Sequence, residues 1–221
     1  RNNWIKNNII KSSSITAVYG DYQSTARLNP TKTINRKRLN IYLERNHRYP
    51  VWLPKIKDYK INKNNRFSPS VINYGLNIDA QSKLEFFRYD DRNYQNLLTL
   101  RGGPELTIGN FKNSFFDYSK LAIFPKTTIV NGNSPFGFDQ SVDNHSIEMI
   151  YKQQIYGPLA LQYSTEYNLD VNSKKFHEFF NTKYELSWNR RAYNIKIFYD
   201  SEQETGGLTF NIYSFNHIFV T

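Results

Sequence analysis

Three glutamates, Glu148, Glu166 and Glu185, occupy polar positions in three segments that alternate between apolar and polar residues. Carboxyl groups brought together on neighbouring strands can act as a general acid and a general base. The lysines that share these polar positions are Lys152, Lys183 and Lys196. We favour ion pairs between the two sets, because no serine–histidine–aspartate set or other catalytic spacing accompanies the carboxylates. We therefore do not expect an enzyme.

The sequence contains no motif that indicates a metal or cofactor site. The chain has no cysteine, and its histidines, His47, His145, His177 and His217, show none of the paired spacings of zinc sites. Gly102-Gly103-Pro104 is not followed by the lysine and serine or threonine of a phosphate-binding loop, so we expect a glycine bulge or strand bend there. We predict neither a metal nor a cofactor.

The elements that position these residues follow from an alternation with a period of two. Between Leu159 and Leu169, leucine, tyrosine and threonine occupy the odd positions, and mostly polar residues occupy the even ones. This alternation is typical of strands with one apolar face, and tight turns such as Tyr156-Gly157-Pro158 separate the segments. We predict an all-β protein of about ten to twelve antiparallel strands in meander order, with a turn at 79–82 and a strand that ends at Pro125.

Composition supports the all-β class. The 17 tyrosines and 16 phenylalanines favour strands. Mean hydropathy is −0.67, and the sequence has no run of about 18 apolar residues, which excludes a membrane-spanning helix but not a membrane β-barrel, whose strands are half polar. The formal net charge of +10 indicates an anionic partner, although an AT-rich genome accounts for the many lysines equally well.

The first 70 residues are less regular than the rest. Basic residues cluster at Arg36–Arg38 and again between Lys55 and Arg66, and we interpret both clusters as solvated loop charge. We expect 1–70 to be a basic segment with early strands, 71–217 a β-barrel domain and 218–221 a tail. Because the chain opens at Arg1 without a leader, we expect a piece of a longer protein.

The apolar side of these strands has two possible surroundings, and the pattern alone leaves both open. In a soluble barrel or sandwich it packs inward. In an outer-membrane barrel it faces lipid while the polar side lines a lumen. For the membrane form, the lumen-facing candidates are Glu148, Lys152, Gln162, Glu166, Lys183, Glu185 and Lys196. The lipid-facing candidates are Leu159, Leu161, Tyr163, Trp188, Tyr193, Ile195 and Ile197. Arg190 and Arg191 form either a headgroup contact or an ordinary polar turn.

Several strings of residues, taken as an ordered set over about 70–217, carry a family resemblance. They are GPELTIGNF (103–111), FFDYSKLAIFP (115–125), NSPFGFDQSVDNHSIEM (133–149), KQQIYGPL (152–159), YELSWNRRAYNIKIFYD (184–200) and GGLTFNIYSFN (206–216). Together they resemble the C-terminal domain of a cyanobacterial outer-membrane protein family. That family is related to the lipopolysaccharide-assembly, or organic-solvent-tolerance, proteins.

The resemblance implies an up-and-down antiparallel β-barrel of outer-membrane type, complete or part of a larger barrel, that transports or assembles lipopolysaccharide or lipid at the outer leaflet. It implies an outer membrane of cyanobacterial type, or the plastid envelope derived from it. The expected partners are membrane lipids or lipopolysaccharide, an upstream periplasmic domain of the same protein and the barrel-insertion machinery, with no nucleic acid. Proteobacterial relatives rely on disulfides, which this cysteine-free chain cannot form. The alternatives are a soluble barrel or sandwich that binds an anionic or apolar ligand and, third, a barrel enzyme.

Overall fold

The computed structural model describes residues 10–29, 31–52, 75–109, 114–139, 143–190 and 192–212, which contain ten β-strands. The strands are β1 (Ile10–Thr25), β2 (Thr33–Trp52), β3 (Gly75–Tyr89), β4 (Tyr94–Gly109), β5 (Tyr118–Gly132), β6 (His145–Tyr156), β7 (Leu159–Asn168), β8 (Phe179–Asn189), β9 (Tyr193–Asp200) and β10 (Thr205–Ile212). No helix in the described part of the chain has the length and apolar character needed to cross a bilayer.

All ten strands belong to one sheet, in sequence order, and every neighbouring pair is antiparallel. The prediction of an all-β, up-and-down antiparallel fold with about ten to twelve strands is confirmed at this level. Within the described residues β1 and β10 do not pair with each other, so the sheet is not closed there. A closed barrel of outer-membrane type stays a prediction.

The sheet continues across the predicted domain boundary. That boundary, at residue 70, lies in 53–74, outside the described residues, as do the second basic cluster and the tail at 218–221. The strands β2 and β3 on either side of it pair directly, for example Leu43 with Leu84. The strand β2, with 20 residues, is the longest of the ten described strands, and β1, with 16, is as long as β4.

Two local expectations were wrong because pairing on both sides of a strand overrides the local sequence. The residues of the predicted turn at 79–82 lie within β3, where Asp79 pairs with Arg48 of β2 and with Gly103 of β4. Pro125 does not end its strand either, since β5 runs on to Gly132. It lies where the β4–β5 ladder is interrupted between the pairs Arg101–Lys126 and Glu105–Ala122, so that ladder does not need the N–H that proline lacks.

Charge divides the two faces of the sheet. Residues that pair directly across strands lie on the same face, and this relation assigns each side chain. In β4–β10 every lysine, arginine, aspartate and glutamate lies on one face, which we call the polar face. These residues are Arg101, Glu105, Lys120, Lys126, Glu148, Lys152, Glu166, Lys183, Glu185, Lys196 and Asp200. We call the opposite side the apolar face. In β1–β3 it carries a few charges: Asp21, Lys37, Arg45 and Arg88.

Burial is the reverse of that in a soluble sheet, because the polar face is the more enclosed one. Its buried polar residues are Arg38, Asn40, Asn77, Glu85, Gln95, Glu105, Thr107, Ser146, Gln154, Asn168, Ser187, Asn194 and Asp200. The exposed apolar residues of the other face, from β4 on, include Leu100, Ile108, Leu121, Ile123, Ile129, Tyr151, Leu161, Tyr184, Leu186, Ile197, Tyr199, Leu208, Phe210 and Ile212. A hydrophobic cluster of Phe87, Tyr89 and Phe136 lies near the end of the sheet that holds the β3–β4 and β5–β6 loops.

The strands β4 and β5 approach closely at Gly103, and this contact predicts a large effect of a small substitution. An added Cβ would lie 2.1 Å from the carbonyl oxygen of Ile123, a backbone atom that cannot rotate away. We expect Gly103→Ala to lower the free energy of unfolding by about 1–3 kcal/mol, measured by urea unfolding in detergent micelles. Gly102→Ala is the matched control, because its nearest atom would be 3.1 Å away. Equal effects of the two substitutions would contradict the close approach at Gly103.

Candidate functional site

Ion pairs cover the polar face of β4–β9. Five cations each have a carboxylate partner on the same face. The pairs are Arg101–Glu148 (2.5 Å), Lys120–Glu105 (2.5 Å), Lys126–Glu166, Lys183–Asp200 (3.4 Å) and Lys196–Glu185 (3.1 Å). Each pair joins two different strands. The polar face is therefore an interlaced charge network rather than a row of isolated surface groups.

Four of these residues show how the network is built. Arg101 of β4 stands directly opposite Lys126 of β5, and Glu148 of β6 stands directly opposite Glu166 of β7. Like charges in such positions repel. Each cation instead reaches over a strand, Arg101 to Glu148 and Lys126 to Glu166. The side chain of Glu166 is only 13% exposed and also accepts a hydrogen bond from Ser146 Oγ at 2.8 Å. These two ion pairs thus offset both the repulsion between Arg101 and Lys126 and the repulsion between Glu148 and Glu166.

The three glutamates considered for acid–base chemistry each have a cation within ion-pair distance. Only one predicted pairing, Glu185 with Lys196, forms. The expected ion pair of Lys183 with one of these glutamates is wrong, because Lys183 reaches Asp200. Among the described residues Lys152 has no ion-pair partner at all. Within the same residues no group of three or more histidine, aspartate or glutamate side chains could hold a metal ion.

The structure places the two candidate sets on opposite faces. All seven lumen-facing candidates, Glu148, Lys152, Gln162, Glu166, Lys183, Glu185 and Lys196, lie on the polar face. All seven lipid-facing candidates, Leu159, Leu161, Tyr163, Trp188, Tyr193, Ile195 and Ile197, lie on the apolar face. Leu161 is 42% exposed and Ile197 54%, and the other five are half-buried. That one face meets a lumen and the other meets lipid stays a prediction.

Arg190, one of the two headgroup candidates, lies at the end of the sheet opposite the β3–β4 and β5–β6 loops. Arg190 follows β8, and its guanidinium lies 5.2 Å from the ring centre of Trp188 on the apolar face. Its backbone N–H donates to the carbonyl of Tyr193, which closes the short connection to β9. Arg191 lies outside the described residues. A basic and an aromatic side chain thus lie together where two strands end, as at a membrane interface.

One ion pair, formed by Arg38, is buried and was not predicted from the sequence. Arg38, interpreted as solvated loop charge, lies inside β2 with its side chain 10% exposed. It donates to Asp139 of the β5–β6 loop at 2.6 Å and lies 4.0 Å from the ring centre of Tyr22. Tyr89 also donates to Asp139, at 2.9 Å. The alternation of Arg38, Asn40 and Tyr42 with apolar residues was the available signal for the strand, but nothing in the sequence pointed to Asp139.

This contact, together with neighbouring backbone hydrogen bonds, folds the β5–β6 loop over one end of the polar face. The N–H of Gly137 donates to the carbonyl of Thr25, and that of Arg27 donates to the carbonyl of Pro135. Phe136 is fully buried between them. On its other side the loop is held to the end of β7, where Asn168 donates to Asp143 at 2.6 Å. The described residues of the loop therefore cover part of the polar face at this end of the sheet.

Several polar atoms on the polar face have no hydrogen-bond partner among the described residues. They are Arg38 Nε, Asn40 Nδ2 and Oδ1, Asn77 Nδ2, Gln95 Oε1, Thr107 Oγ1 and Asn194 Oδ1. A buried polar atom without a partner costs about 1–3 kcal/mol. Since all of these atoms lie on one face, that face suits water or a polar solute better than a second apolar layer.

The fold is thus a single antiparallel meander sheet with one charged, enclosed face and one exposed apolar face. The chain belongs to the DUF3769 family, described as a protein of unknown function, which matches residues 7–216. No curated protein and no solved structure matches the chain. The resemblance to lipopolysaccharide-assembly proteins stays a prediction.

Breaking the Arg38–Asp139 pair should destabilise the protein strongly. Both side chains are at most 10% exposed, so Asp139→Asn leaves a buried guanidinium without a counter-charge. We expect a loss of about 3–5 kcal/mol in the free energy of unfolding, measured with urea in detergent micelles. Asp91→Asn is the control, because Asp91 pairs with the more exposed Arg36 and should cost less than about 1 kcal/mol. A small effect of Asp139→Asn would show that the loop does not depend on this pair.

Asp170, in the β7–β8 loop, should make stability depend on acid. The backbone N–H groups of Asn172 and Asn144 donate to its carboxylate and hold its pKa below the usual aspartate value. Its contribution is therefore complete above the unfolded pKa of about 3.9 and is lost as the pH falls towards the folded pKa. We expect Asp170→Asn to remove this part of the pH dependence of the free energy of unfolding below about pH 4. An unchanged pH profile would exclude the contribution.

Proposed function

We propose that this chain forms wall strands of an outer-membrane β-barrel, with its apolar face against hydrocarbon and its polar face lining an aqueous lumen. The observation that carries the proposal is the segregation of charge. Every lysine, arginine, aspartate and glutamate in β4–β10 lies on the enclosed face, whereas the exposed face presents leucine, isoleucine and aromatic residues. Exposed apolar patches beyond a few hundred Å² mark protein or membrane contacts.

Strand length agrees with a spanning role. β7 has ten residues, which at about 3.3 Å per residue and a tilt of about 45° span roughly 23 Å, close to the apolar band of an outer-membrane barrel. The strands β1–β5 have 15 or more residues and would extend beyond the bilayer. Rings at the strand ends, such as Trp188 and the tilted Phe115–Tyr156 pair (4.6 Å between ring centres), suit the interface.

We further propose that the barrel takes part in lipopolysaccharide or lipid transport or assembly at the outer leaflet. The family resemblance supports this role, and the physical features agree with it. The polar face of β4–β9 holds both signs of charge, so a hydrated path for polar headgroups would meet fixed partners along its length. The β5–β6 loop, held by Arg38, would narrow one end of that path. The soluble ligand-binding alternative would require a large partner layer over the apolar face.

The orientation of the faces is tested by charge substitutions on opposite sides of β7. Leu161→Arg puts a cation on the apolar face, and we expect it to lower the free energy of unfolding in lipid vesicles by about 1–2 kcal/mol, between the costs at the bilayer midplane and at the interface. Ser164→Arg, three residues along the same strand, is the matched control. Ser164 borders a polar cavity of about 210 Å³ that also holds Glu148 and Glu166, so the new arginine should cost little.

The outcome separates the membrane proposal from the soluble alternative. In the membrane form the full chain floats with vesicles after a urea wash, and only Leu161→Arg weakens its folding there. A full chain that stays monodisperse without detergent, or that tolerates Leu161→Arg as well as Ser164→Arg in lipid, would refute the proposal.

A further inference from the structure

Lys152, in the middle of β6, is the one cation on the polar face of β4–β9 that lacks an ion-pair partner among the described residues. Arg101, Lys120, Lys126, Lys183 and Lys196 each have a carboxylate within ion-pair distance. The five carboxylates on this face all have cation partners already, and Glu105 also pairs with Arg48 of β2 at 3.2 Å. Lys152 is the charge left over, and it is half-buried rather than extended into solvent.

The neighbours of Lys152 make its position electrostatically unfavourable as it stands. Lys120 of β5 stands directly opposite it, which places the two Cβ atoms about 4.5–5.5 Å apart. Glu185 of β8 lies on the same face but is bound to Lys196 at 3.1 Å. Lys120 is itself bound to Glu105 at 2.5 Å. Lys152 therefore faces the ammonium groups of Lys120 and Lys196, and the carboxylate that attracts it, Glu185, is shared with Lys196.

The same cross-strand row contains further polar groups without partners. Gln162 of β7 stands directly opposite Lys152 on its other side, and its amide makes no hydrogen bond to a described residue. Thr107 of β4 stands opposite Lys120, and its Oγ1 is buried without a partner. The row Thr107, Lys120, Lys152, Gln162 thus presents hydrogen-bond donors from four adjacent strands, and the next residue of the row, Glu185 of β8, is held in its ion pair with Lys196.

We propose that Lys152, Lys120 and the amide of Gln162 form a binding site for a phosphate group on the polar face. A phosphate brings charge and several acceptor oxygens, which would offset the repulsion between the lysines and engage the free amide. Charge-assisted hydrogen bonds of this kind are about twice as strong as neutral ones. The source of the phosphate, a lipid headgroup or a free ion, depends on the proposed function. The phosphate site itself does not depend on the proposed function, because Lys152, Lys120 and Gln162 lie together on the polar face whether or not the sheet is in a membrane.

The test is a calorimetric titration of the full chain in detergent micelles with inorganic phosphate and, separately, with micellar phosphatidic acid. We expect Lys152→Gln to weaken phosphate binding at least about tenfold, as the loss of a charged hydrogen bond implies. Lys152→Arg, which keeps the charge, should retain most of the affinity. Lys183→Gln is the matched control, because it removes an equal charge from the same face at a cation bound to Asp200, and should change the affinity less than about twofold.

Each outcome is decisive. Binding of phosphatidic acid alone identifies a lipid headgroup site, and binding of both probes identifies a general phosphate site. Both results support the proposal if Lys152→Gln weakens the binding at least about tenfold. No binding of either probe, equal affinity of Lys152→Gln and the parent, or an equal loss in Lys183→Gln overturns it. Lys152→Gln should fold at least as well as the parent in the absence of phosphate, because it removes one of two opposed cations. The vesicle flotation above tests the membrane role separately.

Discussion

The charged side chains of β4–β9 can be accommodated only if they all lie on one face and meet partners there. Arg101 reaches from β4 to β6, and Lys126 reaches from β5 to β7, over the strand between. A slip of one residue in any strand would turn its charges to the apolar face. There they would have neither partners nor enclosure, at a cost of several kcal/mol in an apolar medium. The network therefore fixes the register of the sheet as well as its polarity, a role that hydrophobic packing has in a soluble sheet.

This dependence explains why so much of the sheet was predictable from the sequence. Where charge and apolar character alternate strictly, as from Leu159 to Asn168, the pattern gave the strand, its face and its neighbours in meander order. Prediction failed where local signals competed with pairing. Asp79 and Ser82 resemble a turn in isolation, yet β2 and β4 hold that segment in the middle of a strand. Pro125 is tolerated for the same reason, at an interruption in one ladder.

The partners of individual charges were beyond the sequence, because they depend on geometry that no local pattern encodes. Direct opposition would have matched Glu148 with Glu166, two like charges, whereas the actual partner of Glu148 is two strands away. Arg38 and Asp139 are separated by 101 residues and meet only because the β5–β6 loop folds back over the sheet. A period of two assigns a side chain to a face, but side-chain reach and the path of a loop decide what it contacts there.

The first strands place a condition on the membrane proposal. On the apolar face a row that is polar except for Leu100 crosses β1–β6, formed by the successive partners Ser13, Arg45, Ser82, Leu100, Thr127 and His145. Arg45 cannot lie in hydrocarbon at low cost, although a long side chain can extend towards an interface. The row ends at His145, the first residue of β6, on the side where the long loops lie. Since β2–β5 are longer than a bilayer requires, the membrane interface can lie at the level of this row. The apolar face of β4–β7, which carries no lysine, arginine, aspartate or glutamate, then extends from the row into the apolar band of the bilayer.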